Sequence, residues 1–345
     1  MTAVGTLDGG ALATVDRAGT VTTRSGSVLG WQLRPADAWL VPGADAPVRR
    51  SRPDPAPVAC SAARVPGGDV HHWVYAVSDG GGAIVVEVEN DSPRPIAVGF
   101  RVQAASSEAL ALSRAPGATE PDGAVVFALP HRTGVRAAIG RPGLVVRALP
   151  AREAVVRGWD RVLDRGMRTE LPEQVQHAVD IARADLLLEP PSAGAFAALE
   201  AWGFDEEAMA MWDRLGLRAR RVARRSPPGG VLGETRAALL RERGSTVECF
   251  PGFRTAWLGS NLAVHDAPVR AGRGSFALRW HGARPALLWD VPAGTQLLTP
   301  VLDPDFEATR PVGETLLREP PTGLLAMGER APVTGASVSP PEEFM

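Results

Sequence analysis

The stretch HHWVYAVSDGGGAIVVEVEND, residues 71–91, decides the fold class of this chain. Two runs rich in β-branched residues flank the polar, glycine-rich segment SDGGG, a pattern typical of a β-hairpin. In the second run, valine and glutamate alternate from Val86 to Glu89. Because successive side chains of a strand point to opposite faces, we expect one face in the core and the other in solvent. The stretch therefore predicts an antiparallel sheet with one buried face.

The same pattern continues on both sides of this hairpin. Segments such as GTVTTRSGSVLGWQL, PIAVGFRVQAA and GLVVRALP carry β-branched residues between turns that contain glycine or proline. Short strands separated by frequent turns are typical of an antiparallel sandwich. Residues 1–158 are therefore predicted to form an antiparallel β-sandwich.

The period of the apolar residues changes near residue 160. In LPEQVQHAVDIARADLLL, apolar residues recur at the three- and four-residue spacing of a helix. The following segment, PPSAGAFAALEAWGFDEEAMAMWDRLGL, predicts two helices with Ser192 and Asp205 as their N-caps. We expect about four helices in residues 159–245.

From residue 246 the strand pattern returns, in TVECF and in SFALRWHGARPALLWDV. Residues 246–330 are predicted to form an antiparallel β module, and residues 331–345 a flexible tail. Strands and helices occupy separate stretches of the chain instead of alternating. This order predicts an α+β multidomain protein and disfavours a Rossmann-like sheet or a TIM barrel.

Composition narrows the classes of function. The 345 residues carry a formal net charge of −2, which disfavours nucleic acid or an anionic membrane surface as a partner. The two cysteines, Cys60 and Cys249, have neither metal-binding nor disulfide spacing. The sequence shows no signal-peptide pattern and no apolar run of membrane length. We therefore expect a cytoplasmic protein without a metal ion, a cofactor or a membrane contact.

The segment FAALEAWGFDEEAMAMWDRLG, residues 196–216, resembles one helical hairpin of the α/α toroid of six-hairpin glycosidases. VVEVENDSPRPIAVGFRV resembles the large sandwich that precedes such toroids. LAVHDAPVRAGRGSFALRWHGARPALLWDV resembles the β module at the C-terminal end of actinobacterial proteins of this kind. Because residues 159–245 hold only part of a toroid, the resemblance implies a shortened relative with a carbohydrate-associated activity. It transfers no catalytic glutamate to this chain.

The C-terminal hairpin SFALRWHGARPALLWDV supplies the candidate sugar-binding residues Trp280, His281, Trp289 and Asp290. A tryptophan ring offers a flat apolar face to a pyranose, and Asp290 is a candidate acceptor for a sugar hydroxyl. Nine tryptophans in a chain with 6% aromatic residues are an excess, but core packing is the favoured interpretation for most of them. A structural hairpin is the favoured interpretation of this segment, because Trp280 and Trp289 are expected on one face of the sheet, as in a sandwich core.

Two further groups carry two interpretations each. Asp205, Glu206 and Glu207 suit either an acid–base pair or the first turn of a helix, where the helix dipole favours carboxylates. The adjacent His71 and His72 suggest a metal site. We expect them on opposite faces of a strand, however, so that they do not share one ion.

Two more segments invite functional interpretations. His265 and Asp266 suggest a catalytic relay, but the sequence has no nucleophile elbow, and a turn before Pro268 is the favoured interpretation. The arginine-rich segment RARRVARR, residues 218–225, suggests either an acidic partner or the solvated end of a helix.

The sequence leads to three hypotheses of function. The first is a carbohydrate-associated protein that binds or scaffolds a glycan, with no catalysis or with reduced catalysis. The second is a structural or regulatory interaction module without a small-molecule site. The third is an inverting glycoside hydrolase, which needs two carboxyl groups about 6.5–9.5 Å apart that the sequence alone does not identify.

Overall fold

The computed structural model describes residues 1–105, 107–223 and 226–320. Over these residues the chain is an α+β protein with 22 strands and six α-helices. The predicted order of strands, then helices, then strands is confirmed, whereas the sequence predicted about four helices. The difference arises because the first helix begins at Arg152, before the predicted boundary, and because part of the arginine-rich segment forms a short helix of its own.

The strands before the first helix are β1 (Thr2–Thr6), β2 (Gly10–Val15), β3 (Val21–Thr23), β4 (Val28–Arg34), β5 (Val48–Ser51), β6 (Ala59–Val65), β7 (Gly68–Val77), β8 (Ala83–Asn90), β9 (Ile96–Gln103), β10 (Ala109–Leu112), β11 (Ala118–Thr119), β12 (Val125–Leu129) and β13 (Gly134–Gly140). The helices are α1 (Arg152–Leu163), α2 (Glu173–Leu188), α3 (Ala193–Ala201), α4 (Asp205–Arg214), α5 (Leu217–Ala223) and α6 (Gly230–Leu239). The later strands are β14 (Arg168–Glu170), β15 (Leu240–Arg243), β16 (Thr246–Cys249), β17 (Leu262–Val269), β18 (Gly272–His281), β19 (Arg284–Asp290), β20 (Gln296–Thr299), β21 (Asp303–Ala308) and β22 (Val312–Leu316).

The strands before α1 form two sheets that share one core. Their orders are β1-β2-β3-β4-β9-β12-β11 and β10-β13-β8-β7-β6-β5, and neighbouring strands run antiparallel. Trp31 and Phe100 of the first sheet belong to the same cluster of buried apolar side chains as Val74 and Ile139 of the second. The buried faces are therefore the apolar faces that the alternation predicts.

The predicted hairpin at residues 71–91 is confirmed, since β7 and β8 pair antiparallel around residues 78–82. Gly80, Gly81 and Gly82 adopt positive φ angles of 65°, 83° and 94°. Side chains of other residues disfavour this conformation, so the glycine run is what allows the turn to close.

The burial of Glu87 on the outer face of β8 differs from the sequence prediction. The alternating pattern predicts that Glu87 faces solvent. Glu87 is 8% exposed. Tyr75 donates a hydrogen bond to its Oε1 at 2.7 Å, and Arg136 Nε lies 2.8 Å from the same oxygen. Arg152, at the start of α1, lies 3.7 Å from Oε2. Glu87 is buried because the chain around Pro150 and the start of α1 lies over this part of the sheet.

The strands after α1 form two further sheets, β14-β17-β18-β19-β22 and β15-β16-β20-β21. The predicted β module is antiparallel, but β16 and β20 pair in parallel, with Val247 opposite Leu297. Parallel strands need a long connection, and the chain between these two contains β17, β18 and β19. Side-chain alternation is the same in both directions, so the sequence pattern does not reveal a parallel pair.

The C-terminal hairpin predicted at residues 275–291 is also confirmed. β18 and β19 pair antiparallel, with Phe276 opposite Trp289 and Trp280 opposite Pro285. Gly282 adopts a φ of +66° in the turn, a left-handed conformation that glycine adopts without a steric penalty.

The chain divides into two compact units. Among the described residues, the first unit consists of 1–168, 173–235 and 266–268, and the second of 169–172, 236–265 and 269–320. Helices α1 to α5 belong to the first unit, together with the strands before them. The domain boundaries near residues 158 and 245 stay predictions, and the predicted tail at 331–345 lies outside the described residues. No helix in the described part of the chain combines the length and the apolar character needed to span a membrane.

Candidate functional site

Helices α3 and α4 form a hairpin within the first unit. Ser192 caps α3 as predicted, because its hydroxyl accepts a hydrogen bond from the Ala195 backbone N–H at 3.0 Å. Gly203 adopts a φ of +73° in the connecting turn. Asp205, predicted as an N-cap, is instead the first residue of α4, and the completely buried Phe204 precedes it.

The hairpin carries a surface cavity of about 470 Å³, named here the α3–α4 cavity. Its lining combines aromatic, apolar and acidic side chains: Phe196, Glu200, Asp205, Ala208, Met209, Trp212 and Asp213. Phe196 and Ala208 are buried, whereas Met209 is 71% exposed. The base of the cavity is therefore formed by buried side chains, and the cavity opens to solvent.

An aromatic pair forms one side of the α3–α4 cavity. The rings of Phe196 and Trp212 have centroids 4.9 Å apart and planes inclined by 44°. The guanidinium carbon of Arg220 lies 5.1 Å from the Trp212 ring centroid, and its Nε donates to the Trp212 carbonyl at 3.0 Å. These contacts hold the half-buried Trp212 in place while part of it lines the cavity.

Glu200 and Asp205 supply the acidic side of the α3–α4 cavity. The pKa of Glu200 is raised, first because the cavity walls partly desolvate its carboxyl group and second because of the negative charge of Asp205. A carboxyl group with a raised pKa beside a second carboxylate, in a cleft, is typical of functional sites. The cavity thus offers hydrogen-bond acceptors and one carboxyl group that keeps its proton to a higher pH than usual.

The neighbouring Glu206 and Glu207 do not line the cavity. Both pair with Arg165, Glu206 at 2.7 Å. Together with Asp205 they occupy the first turn of α4, as the sequence predicts. Of the three acidic residues, only Asp205 lines the α3–α4 cavity.

The four predicted sugar-binding residues lie on the β18–β19 hairpin, but on both faces of its sheet. Trp280 and Trp289 share one face. Since Trp289 lies opposite Phe276, the two indoles are separated by about 13 Å along the strand. His281 and Asp290 lie on the other face and are exposed. The hairpin therefore does not bring the four side chains into one cluster.

Trp289 is enclosed by its surroundings. Its indole N–H donates to the Arg310 carbonyl at 2.9 Å, and the Phe306 ring packs against it with centroids 5.5 Å apart and planes inclined by 68°. A Cβ placed on Gly313 would lie 2.3 Å from the indole, so the backbone of β22 packs directly on the ring. Trp280 is half-buried and retains exposed surface. A sugar-binding role for this hairpin stays a prediction.

The adjacent histidines of β7 point to opposite faces, as predicted. His71 lies on the outer face, with Nδ1 3.9 Å from the sulfur of Cys60. His72 is completely buried and stacks on Trp31 with ring centroids 4.5 Å apart. Within the described residues, neither ring nitrogen of His72 has a hydrogen-bond partner. Burial lowers the pKa of His72 to about 3, so it is an uncharged core side chain.

His265 binds Glu170 rather than its neighbour Asp266. Its Nε2 lies 3.2 Å from one carboxylate oxygen, and Arg279 donates to the other at 2.7 Å. The sequence predicts a turn here, but Leu262–Val269 forms strand β17, in which Asp266 adopts a φ of +57°. His265 and Asp266 therefore do not form the suggested relay, because the imidazole of His265 contacts the carboxylate of Glu170 in β14 instead.

The arginine-rich segment lies partly in α5. Arg218 and Arg221 are exposed there, whereas Arg220 turns back and donates to the carbonyls of Trp212 and Asp213. Residues 224 and 225 lie outside the described residues. Arg220 thus satisfies carbonyl groups at the end of the preceding helix α4, a structural role.

The two cysteines are poorly placed for nucleophilic catalysis. Both thiols are free and buried. Burial raises the pKa of Cys60 to about 11 and raises that of Cys249 well above its usual value. Across residues 1–105, 107–223 and 226–320, no three or more histidine, cysteine, aspartate or glutamate side chains are grouped to hold a metal ion.

Comparisons with models of known protein families, with curated proteins and with solved structures give no match. The resemblance to six-hairpin glycosidases therefore stays a prediction. What can be inferred about function comes from the side chains of this chain and their geometry.

The site residues predicted from sequence do not include Glu200 and Trp212. A signal for them exists, because Glu200 follows Phe196 by four residues on α3, and Trp212 follows Ala208 by four on α4. Residues at this spacing share one face of a helix. Which two faces meet depends on the turn at Gly203, and the sequence pattern does not determine its geometry.

Proposed function

We propose that the protein binds a glycan and that the α3–α4 cavity holds it. The observation that carries this proposal is the position of Trp212, Glu200 and Asp205 around one surface cavity. A pyranose presents an apolar C–H face, which packs well on an indole, and hydroxyl groups, which donate to carboxylates. The volume of about 470 Å³ lies in the range of small-molecule sites.

Replacing Trp212 is expected to remove most of the affinity. Trp212→Ala should weaken binding of a soluble α-glucan on the order of tenfold or more, because stacking and the buried ring surface are both lost. Isothermal titration of the full chain with maltotriose and longer maltooligosaccharides measures the change.

Trp39 provides the matched control. It is also half-buried, and the guanidinium carbon of Arg34 lies 4.8 Å from its ring, but it does not line the cavity. Trp39→Ala is expected to bind like the unsubstituted protein. Equal losses in both variants, or no binding to any member of a glycan array, would contradict the proposal. A loss in Trp280→Ala with Trp212→Ala unaffected would assign the glycan to the β18–β19 hairpin.

A second candidate function is glycoside hydrolysis at the same cavity, favoured by the raised pKa of Glu200 beside Asp205. A carboxyl group with a raised pKa, such as that of Glu200, suits a general acid, and Asp205 supplies the second carboxyl group. If this function holds, the chain releases reducing ends from α-glucans, and Glu200→Gln abolishes the release while binding persists. Activity should fall as pH rises through the raised pKa of Glu200, because the proton to be donated is then lost. Binding without any release of reducing ends leaves glycan binding as the function.

A further inference from the structure

A second cavity in the first unit lies where four connections between strands meet. It has a volume of about 310 Å³ and is named here the two-arginine cavity. Arg24 comes from the β3–β4 turn, Gly81 from the β7–β8 turn, Glu108 from the chain before β10, and Arg141 from the end of β13. The cavity is separate from the α3–α4 cavity, since the two share no lining residue.

Glu108 is held in its charged form by hydroxyl groups. Thr23, which is 5% exposed, donates a hydrogen bond to its Oε2 at 2.9 Å. Partial burial by itself raises the pKa of Glu108, but the hydroxyl groups of Ser25, Ser27 and Thr23 outweigh it, and the pKa lies below its ordinary value. The carboxylate is therefore fixed in position by neutral hydroxyl groups.

The two arginines do not neutralise Glu108. Arg24 donates to the Gly9 carbonyl at 2.9 Å. Within the described residues, neither Arg24 nor Arg141 forms an ion pair with a carboxylate. A Cβ on Gly81 would lie 2.9 Å from the guanidinium carbon of Arg141, so that guanidinium packs against the glycine turn. Gly81, whose φ is +83°, leaves the room that Arg141 occupies.

The cavity thus carries charges of both signs that are not paired with each other. Guanidinium groups bind carboxylates and phosphates, and a fixed carboxylate accepts hydrogen bonds from hydroxyl or ammonium groups. We propose that the two-arginine cavity binds a small organic anion that carries hydroxyl or ammonium donors. Its anionic group contacts Arg24 and Arg141, and its donors contact Glu108. This site is independent of the glycan proposed for the α3–α4 cavity.

The test is isothermal titration of the full chain with three probes. D-Glucuronate carries a carboxylate with hydroxyl donors, L-alanine carries a carboxylate with an ammonium donor, and D-glucose carries hydroxyl groups without an anion. We expect D-glucuronate or L-alanine to bind, and D-glucose to bind more weakly by on the order of tenfold or more. Binding of only one of the first two identifies which donor Glu108 accepts. If neither binds, or if D-glucose binds equally well to the Trp212→Ala variant, in which the proposed glycan site is impaired, the proposal is overturned.

Two variants locate the binding. Arg141→Gln is expected to weaken binding of the anion on the order of tenfold, because a charge-assisted hydrogen bond is lost. Arg147 is a matched control, since it is also exposed and donates to a backbone carbonyl, that of Ser113, at 2.8 Å. Equal affinity in Arg141→Gln and Arg147→Gln would overturn the proposal. Trp212→Ala should leave this binding unchanged, so failure here is distinguishable from failure of the glycan proposal.

Discussion

Lowering the pH from 6.5 to about 3 is expected to remove about 4 kcal/mol from the free energy of unfolding through His72 alone. The unfolded chain binds a proton on His72 with a pKa near 6.5, whereas burial lowers the pKa in the folded chain to about 3. Between these values the unfolded state holds more protons. Stability therefore rises with pH in this window and is lost as pH falls, by about 1.4 kcal/mol per pH unit.

His72→Phe isolates this effect. A phenyl ring can keep the stacking on Trp31, and no hydrogen bond is lost, because the ring nitrogens of His72 have no partner within the described residues. Denaturant unfolding at a series of pH values measures the difference. The variant is expected to match or exceed the stability of the unsubstituted protein at neutral pH and to lose stability less steeply in acid.

His281→Gln serves as the control, because His281 is exposed in the turn between β18 and β19. This variant should retain the full dependence of stability on pH. If His72→Phe and the unsubstituted protein show the same slope across the window, His72 is not the group that links acid to unfolding.

Glu87→Gln is expected to destabilise the chain by about 3 kcal/mol. The substitution removes the negative charge from a network in which Arg136 and Arg152 have side chains only 24% and 18% exposed. The Arg136 guanidinium then remains largely buried without a carboxylate partner among the described residues, and such an uncompensated charge is costly, whereas Arg152 keeps its ion pairs with Glu89 and Glu153. Thermal and denaturant unfolding measure the loss.

Glu120→Gln is the matched control for Glu87. Glu120 also faces an arginine, Arg34, at 3.9 Å, but their side chains are 30% and 39% exposed. A pair as accessible to solvent as this contributes about 1 kcal/mol or less. Similar losses in the two variants would show that burial does not strengthen the role of Glu87.

Tyr75 reports on the same network, because it is the single tyrosine of the chain. Its pKa is raised, mainly by burial and then by the hydrogen bond to Glu87 and the charge of that residue. In Glu87→Gln the pKa of Tyr75 is expected to fall towards its ordinary value. Absorbance of tyrosinate during alkaline titration detects this change separately from unfolding.

Local patterns in the sequence predict the elements of this fold well. The hairpins at 71–91 and 275–291 follow from alternating apolar residues around glycine-containing turns, and the cap at Ser192 follows from a side chain that bonds within its own helix. Each of these features depends on residues that are close in sequence, so a linear pattern contains the information.

Local sequence patterns predict the candidate sites less well than they predict the secondary structure. In the two-arginine cavity, Arg24, Glu108 and Arg141 come from separate connections and meet only because two sheets place those connections at one cavity. The β18–β19 hairpin shows the converse, since Trp280, His281, Trp289 and Asp290 are close in sequence but divided between two faces. Proximity along a strand therefore does not ensure a shared site.

The sequence by itself determined the α+β class, the order of its strands and helices, and the direction in which His71 and His72 point. These depend on the two-residue period of a strand and on the spacing of a helix. Only the tertiary structure decided that Glu87 is buried, that β16 and β20 run in parallel, and that Glu200 and Trp212 line one cavity. The physical reason is that burial, strand direction and side-chain convergence are set by contacts between distant segments, which local periodicity does not encode.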